Sequence, residues 1–309
     1  MKEVNEIMNK AWRLGILIPA FNVAYLPMVK TIVDTLKEER TFGLVEVSRP
    51  DVEKFGAKSF ASVAEEFYKY ADLYYTRLHL DHIPVIDEDG NIVDWERLIK
   101  GCLDLGYHSV MIDGSRLPLE ENIACTKKVV EMAHPRNIPV EAELGAVFGH
   151  EKGPLPPYEE LFNSKKGFTS IESAEIFVRE TNVDWLSVAI GNIHGAISGV
   201  AKDQKKISAK LDIEHLKKLK EVTQRPLVLH GGSGIRIEYL RLAIENGITK
   251  INIGTEIRQA YEKGLKESDN DISFACKRVA YKIRELIDLY GIKNSVEKLY
   301  SSRYLKDYL

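Results

Sequence analysis

The feature that most constrains the fold is the regular recurrence of short apolar runs, separated by longer segments whose apolar residues follow helical spacing. Eight runs of strand length can be marked, at 16–20, 43–48, 76–81, 109–112, 139–143, 185–190, 226–230 and 250–253. Eight alternating strands and helices favour a closed (β/α)8 TIM barrel over a doubly wound sheet, which usually has fewer strands and a glycine-rich turn after the first. The first run ends in Pro19-Ala20-Phe21-Asn22 instead. The predicted fold class is therefore α/β.

The length of the chain fits one such barrel with an extension. A barrel of this type takes about 250 residues, and the chain has 309, of which 44% are hydrophobic. We predict a single domain over residues 1–309, with the barrel at about 14–260 and a helical C-terminal extension at about 261–309.

Charge and cysteine content limit the classes of partner. A formal net charge of -3 gives no electrostatic argument for nucleic acid or for an anionic membrane. The three cysteines, Cys102, Cys125 and Cys276, are widely spaced and odd in number, which indicates reduced thiols rather than a disulfide framework. The N-terminus lacks a basic region followed by an apolar stretch. These features predict a cytoplasmic protein.

Polar residues stand at or just beyond the end of nearly every predicted strand. They are Asn22, Ser48, Asp81, His82, Asp113, Ser115, Glu141, Glu143, His194, His230, Asn252 and Thr255. In a barrel of parallel strands the C-terminal strand ends form a common mouth, where active sites lie. The pattern predicts an active site there.

Three of these strand ends carry histidines: His82, His194 and His230. Three imidazoles with an open fourth position are a ligand set of catalytic zinc, although any one of them could instead be a core histidine with a hydrogen-bond partner. Asp81 precedes His82, and adjacent strand residues point to opposite faces. Regular geometry therefore favours one metal ligand and one acid–base group, with a capping or ligand-supporting role as the alternative for Asp81.

Glycines follow the seventh strand in His230-Gly231-Gly232-Ser233-Gly234. Glycines let backbone N–H groups approach an anion, and barrels often bind phosphate between the loops after strands seven and eight. The segment Asn252-Ile253-Gly254-Thr255 could complete that cradle. A plain turn is the alternative interpretation.

In combination, these motifs resemble the class II, zinc-dependent ketose-bisphosphate aldolases, which include fructose- and tagatose-bisphosphate enzymes. The resemblance spans about residues 16–258 in the same order and includes His79-Leu80-Asp81-His82, Val140-Glu141-Ala142-Glu143-Leu144-Gly145 and Leu229-His230-Gly231-Gly232-Ser233-Gly234. It implies reversible cleavage of a phosphorylated ketose, such as fructose 1,6-bisphosphate or tagatose 1,6-bisphosphate. The implied products are dihydroxyacetone phosphate and an aldehyde such as glyceraldehyde 3-phosphate, formed through a zinc-stabilised enediolate.

The resemblance also implies roles for individual residues. His82, His194 and His230 would bind one catalytic Zn²⁺ per chain, and Asp81 would exchange a proton with the C4 hydroxyl. Glu151 would move the enolisation proton. Asn252 would orient the dihydroxyacetone phosphate unit. Asp113 and Glu143 are candidates for an alternative zinc position.

Substrate and phosphate binding are implied for a further set of residues, near which the family has a monovalent cation, Na⁺ or K⁺. They are Asn22, Ser48, Gly195, Gly231, Gly232, Ser233, Asn252, Gly254 and Thr255. The family is commonly dimeric or tetrameric, so a homodimer or homotetramer is expected.

The chain departs from the family pattern on the aldehyde side. Gly254 stands where fructose enzymes usually have an acid, and Ser48-Arg49-Pro50 replaces a more glycine-rich turn. Two other functions stay open: a zinc hydrolase, because the same groups can activate water, and a catalytically silent sugar-phosphate-binding subunit.

Overall fold

The computed structural model describes residues 3–147, 157–193, 209–232 and 235–301. Eight parallel strands pair in sequence order, and the eighth pairs with the first, so the sheet closes into a barrel. Helices connect successive strands and lie on the outer face of the sheet. The predicted (β/α)8 TIM barrel is confirmed.

The strands are β1 (Ile18–Asn22), β2 (Gly43–Val47), β3 (Thr76–Pro84), β4 (Ser109–Asp113), β5 (Val140–Leu144), β6 (Trp185–Val188), β7 (Leu227–Leu229) and β8 (Ile248–Ile253). The helices are α1 (Val4–Leu14), α2 (Met28–Glu38), α3 (Arg49–Glu53), α4 (Phe60–Tyr70), α5 (Trp95–Asp104), α6 (Leu119–Ala133), α7 (Tyr158–Ser164), α8 (Ile171–Thr181), α9 (Ile213–Thr223), α10 (Ile237–Glu245), α11 (Thr255–Glu267), α12 (Ile272–Tyr290) and α13 (Ser295–Tyr300).

Several helices begin where a short polar side chain caps the first turn. Ser59, Ser170, Asp212 and Asp271 each accept a hydrogen bond from a backbone N–H two or three residues further on. Such caps satisfy donors that the helix itself leaves without partners. The apolar faces of these helices pack on the outside of the barrel in one continuous core.

A second apolar cluster closes the barrel at the N-terminal ends of the strands. Helix α1 contributes Ile7 and Met8, which pack with Phe42 and Trp185 from the starts of the strands. Helix α13 adds Leu299 to the same cluster. Side chains thus seal this end, and in barrels of this type the active site lies at the opposite end, formed by the C-terminal ends of the strands.

The described part of the C-terminal extension, up to residue 301, is helical. Helix α12 packs against α2 and α11 on the outside of the barrel, and α13 packs against α1. Among the residues that the structure describes, no helix combines the length and apolar character needed to cross a membrane.

Candidate active site

The C-terminal strand ends bring the predicted polar residues together at the open mouth. Asn22 is the last residue of β1, Asp113 is the last of β4, and His230 directly follows β7. Ser48 directly follows β2 and caps α3. Since neighbouring strands lie about 4.8 Å apart, side chains from these ends can meet across the mouth.

An irregularity in β3 determines how Asp81 and His82 are oriented. The pairing of β3 with β4 shifts register between Leu80 and Ile83, and His82 has a φ of 48°. A positive φ is uncommon for residues other than glycine, and bulges often redirect side chains next to active sites. The side chains of Asp81 and His82 therefore both point toward the mouth of the barrel, whereas a regular strand would turn one of them away.

Three of the described side chains form a group suited to a metal ion. Ligand atoms of His82, Glu143 and His230 all lie within 4.8 Å of one another. The His82 and His230 rings have centroids 5.0 Å apart, and Nδ1 of His230 lies 3.2 Å from Oε2 of Glu143. Two imidazoles and a carboxylate are ordinary ligands for Zn²⁺, so the donor set fits a divalent metal.

Hydrogen bonds behind His230 set the direction of its ring. Nε2 lies 2.8 Å from Oε1 of Glu141, and the backbone carbonyl of His230 accepts a hydrogen bond of 3.0 Å from Nδ2 of Asn192. A carboxylate next to Nε2 favours the tautomer with a proton there. The lone pair is then on Nδ1, the nitrogen that faces Glu143, as required of a metal ligand.

Buried charged residues contact Glu141, the carboxylate that holds the His230 ring. Lys250 is fully buried, and its Nζ lies 2.9 Å from Oε2 of Glu141 and 3.3 Å from Oε2 of Glu46. Next to it, Nδ1 of His79 lies 2.8 Å from the Ser109 hydroxyl. Burial lowers the pKa of His79 to about 3, and the nearby Lys250 charge acts in the same direction. A series of contacts thus connects Lys250 through Glu141 to His230.

Two amide groups hold the carboxylate of Asp81. Nδ2 of Asn252 donates to Oδ1 at 2.8 Å, and Nδ2 of Asn22 donates to Oδ2 at 2.9 Å. Burial alone would raise the pKa of Asp81, but electrostatic interactions with the neighbouring His230 ring and with the Lys250 ammonium outweigh it and lower the pKa. The carboxylate of Asp81 is therefore ionised at neutral pH and is held in one orientation by the two amides.

The carboxylates around His82 favour its charged form in the metal-free protein. Its Nδ1 lies 3.3 Å from Oδ2 of Asp113. Burial would lower the pKa of His82, but the hydrogen bond to Asp113 and the charge of Glu143 raise it to about 10. Burial raises the pKa of Glu143 to about 7, and the charge of Asp113 adds to that effect. The metal-free site consequently holds protons that a metal ion must displace.

We expect metal binding to release protons from this site. His82 is protonated in the metal-free protein below about pH 10, whereas a metal ligand must be neutral, so the apparent Zn²⁺ affinity should rise at least about tenfold per pH unit between about pH 6 and 8. Competition with a chromogenic chelator at several pH values measures this slope. Asp113→Asn should make the slope shallower, because it removes one of the groups that hold the proton. An affinity independent of pH would contradict the expectation.

Glycines bring the loop after β7 close to β8. Gly231 has a φ of 67°, and a Cβ on Gly232 would lie 2.3 Å from Cγ1 of Ile251. A Cβ on Gly254 would approach Oδ1 of Asn22 to 3.2 Å. Thr255 starts α11 directly beyond this point. Those residues predicted to bind phosphate that the structure describes thus lie at the ends of adjoining strands.

Four predicted site residues lie outside the described residues: Glu151, His194, Gly195 and Ser233. Their roles stay predictions.

Other residues of the site were not identified from the sequence, namely Lys250, Glu46 and Asp51. The first two are recoverable from the alternation of inward-facing positions in β8 and β2. Asp51 is recoverable from its spacing of three from Ser48, which is typical of a capping box.

Comparisons with known proteins identify the family of this chain. The family described as fructose-bisphosphate aldolase class-II matches residues 2–301. A 6-phospho-5-dehydro-2-deoxy-D-gluconate aldolase from Halalkalibacterium halodurans is 35% identical over 274 residues, which are 87% of this chain and 86% of that protein. A fructose-bisphosphate aldolase from Geobacillus stearothermophilus is 31% identical over 266 residues, 85% of this chain and 84% of that one.

Solved structures agree at the level of the fold. The YdjI aldolase from Escherichia coli K12 superposes with a TM-score of 0.76 at 28% identity, covering 96% of this chain and 99% of that chain. A fructose-bisphosphate aldolase from Campylobacter jejuni, at 18% identity and a TM-score of 0.73, shares the fold and covers 94% of each chain. With a family match over nearly its whole length and curated relatives above 30% identity, the chain belongs to the class-II fructose-bisphosphate aldolase family.

Proposed function

We propose that this aldolase reversibly cleaves a phosphorylated ketose, of the fructose 1,6-bisphosphate or tagatose 1,6-bisphosphate type, into dihydroxyacetone phosphate and an aldehyde. The observation that carries the proposal is the grouping of His82, Glu143 and His230 within 4.8 Å, with the ionised Asp81 beside it. A carbon–carbon cleavage next to a ketone needs both charge stabilisation and a base for the hydroxyl proton. The curated relatives are named for a bisphosphate substrate in one case and a monophosphate in the other.

One Zn²⁺ per chain would be held by His82 and His230, with His194 as the third histidine. Class II aldolases are generally metal-dependent, and a bound divalent metal supplies Lewis-acid stabilisation of negative charge on substrate oxygens. The chain's contribution is to orient these ligands. Glu141 does so for His230 through the contact of 2.8 Å to Nε2.

Asp81 takes the proton from the C4 hydroxyl in the cleavage direction and returns it in condensation. Its oxygens are held by amides of Asn22 and Asn252, which prevents rotation away from the substrate. Oδ1 of Asn252 is buried and accepts no hydrogen bond from the described residues. A substrate hydroxyl would satisfy it, which supports an orienting role for Asn252.

The phosphate of dihydroxyacetone phosphate would lie between the loops after β7 and β8. A Cβ on Gly232 would clash with Ile251, and α11 begins at Thr255, where the first backbone N–H groups of a helix have no acceptor within it. Gly195, Ser233 and a monovalent cation would complete the site. Glu151 stays the predicted group for the enolisation proton, and a cytoplasmic homodimer or homotetramer stays a prediction.

Removing the metal should abolish both halves of the reaction. We expect the Zn²⁺-loaded protein to exchange a C3 hydrogen of dihydroxyacetone phosphate with solvent and to condense that donor with aldehydes, and a chelator to stop both. Deuterium incorporation followed by NMR measures the first half, and product formation measures the second. Re-addition of Zn²⁺ is the control for chelator damage. A zinc hydrolase, which family membership disfavours, would instead show metal-dependent phosphate release and no exchange.

A further inference from the structure

The loop that follows β6 meets the end of β7 through the side chain of Asn192. Its Nδ2 donates a hydrogen bond of 3.0 Å to the backbone carbonyl of His230, and its Oδ1 accepts one of 2.9 Å from the backbone N–H of Ile190. Asn192 is only 3% exposed. Because a backbone N–H can only donate and a carbonyl can only accept, these two contacts fix the orientation of the amide. The Asn192 amide therefore joins the backbone of this loop to the backbone of a proposed metal ligand.

Other contacts hold the beginning of the same loop in place. The backbone N–H of Asp212 donates to the carbonyl of Ile190 at 2.9 Å, and the Tyr158 hydroxyl lies 3.0 Å from the carbonyl oxygens of both Gly191 and Lys210. A Cβ on Gly191, whose φ is 111°, would lie 2.7 Å from the carbonyl oxygen of Lys210. The backbone from which the loop continues is thus packed closely and hydrogen-bonded.

His230 itself lies just past the strand pairing that holds β7. Within the described part of the chain, β7 pairs with its neighbours β6 and β8 no further than Leu229. Gly231, which follows His230, has a φ of 67° and is not in an extended conformation. Side-chain contacts therefore contribute to the placement of His230: Glu141 contacts its ring, and Asn192 contacts its backbone carbonyl.

We propose that Asn192 is a positioning residue that sets the distance between the loop after β6 and His230, and through that distance the affinity and ligand geometry of the metal site. The inference rests on the proposed aldolase function, in which His194, two residues beyond Asn192, is the third histidine ligand. Ligands from different segments bind one ion well only when their separation matches its coordination geometry. Groups that orient metal ligands typically contribute about 10- to 100-fold to metal affinity.

Asn192→Ala should weaken Zn²⁺ binding by about 10- to 100-fold in competition with a chromogenic chelator at constant pH. The slope of this affinity against pH should stay that of the wild type, because Asn192 holds no proton. With Co²⁺ in place of Zn²⁺, the visible absorption bands should change in position or intensity, because they depend on ligand geometry. Asn192→Ser keeps a small polar side chain and is measured in the same way, so the test does not depend on the folding of a single variant.

Asn5→Ala is the matched control. The Asn5 amide also bridges two segments, at the N-terminal ends of the strands: its Nδ2 donates to Oδ1 of Asp184 at 2.7 Å, and its Oδ1 accepts from Nε1 of Trp185 at 3.0 Å. This control should lower the stability of the metal-free protein in urea but leave the Zn²⁺ affinity and the Co²⁺ spectrum unchanged. An equal loss of affinity in Asn5→Ala would trace the effect to stability and would overturn the positioning role.

Hydrogen exchange of dihydroxyacetone phosphate by the Zn²⁺-loaded wild type separates this inference from the function on which it rests. Exchange in the wild type, together with wild-type Zn²⁺ affinity and an unchanged Co²⁺ spectrum in the Asn192 variants, would overturn the positioning role alone. Absence of exchange in the wild type would overturn the aldolase proposal, whatever the affinities of the variants.

Discussion

Asp81→Asn is expected to slow carbon–carbon cleavage and condensation by about 10²- to 10⁴-fold, the usual contribution of a positioned acid–base group. Asparagine has nearly the same shape but cannot take the C4 hydroxyl proton. It would also present an amide to Asn22 and Asn252, whose own amides now donate to the Asp81 carboxylate. The loss should therefore appear in kcat.

Two further measurements separate a chemical role of Asp81 from a structural one. Asp81 lies outside the group formed by His82, Glu143 and His230, although its ligand atoms form a second group with Glu46 and His79. Because His82 and His230 are unchanged in the variant, Zn²⁺ content measured by elemental analysis should stay at one per chain. Hydrogen exchange of dihydroxyacetone phosphate does not involve the C4 hydroxyl and should persist. Loss of exchange together with condensation would show that Asp81 supports the whole site rather than the aldehyde proton.

Lys250→Met is expected to lower the free energy of unfolding of the metal-free protein by about 3–5 kcal/mol, the usual cost of breaking a buried ion pair. Lys250 is fully buried between Glu141 and Glu46, at 2.9 Å and 3.3 Å. Without the ammonium group, the carboxylate of Glu141 stays in the barrel interior and loses the cation that contacts it in the wild type. Urea unfolding in the presence of a chelator measures the difference.

The size of this effect should depend on pH in a defined direction. Burial opposes the charge on Glu141, but Lys250 outweighs it and lowers the pKa of Glu141 below its usual value. A depressed carboxyl pKa contributes stability above the unfolded pKa of about 4.3, and that contribution is lost as the pH falls. The difference between wild type and Lys250→Met should therefore be at its full size above about pH 5 and should narrow as the pH falls below about 4.

A double substitution tests the electrostatic cause. Lys250→Met combined with Glu141→Gln removes both charges of the closest pair and should be less destabilised than Lys250→Met alone. If the double variant were as unstable as the sum of the two single variants, packing rather than charge would explain the loss. Circular dichroism at 25 °C establishes that each variant is folded before unfolding begins.

The barrel and much of its mouth could be predicted from the sequence. Apolar runs of strand length, separated by helical segments, specify eight βα units, and parallel strands of this kind place their C-terminal residues at one end. The sequence therefore predicts that Asp81, His82 and His230 share one site. The positions of the strands along the chain also agree with the structure to within a few residues.

The adjacent residues Asp81 and His82 depart from the alternation of a regular strand. A regular strand turns adjacent side chains to opposite faces, but the register shift in β3 and the φ of 48° at His82 bring both to the mouth. Nothing local in the sequence encodes such a bulge, because it depends on how β3 pairs with β4. The orientation of these two side chains therefore depends on the pairing of strands in the closed sheet and not on the local sequence.

Periodicity and residue type thus determined the barrel, the sealed and open ends, and the kind of chemistry at the mouth, because these depend on patterns that repeat along the chain. Only the tertiary structure decided which side chains form hydrogen bonds and ion pairs with one another. The link from Lys250 through Glu141 to His230 spans more than 100 positions in sequence. Likewise Asp51, in the helix after β2, contacts Asn22 at the end of β1. Hydrogen bonds act over about 3 Å, so such partners are set by barrel closure and not by sequence spacing.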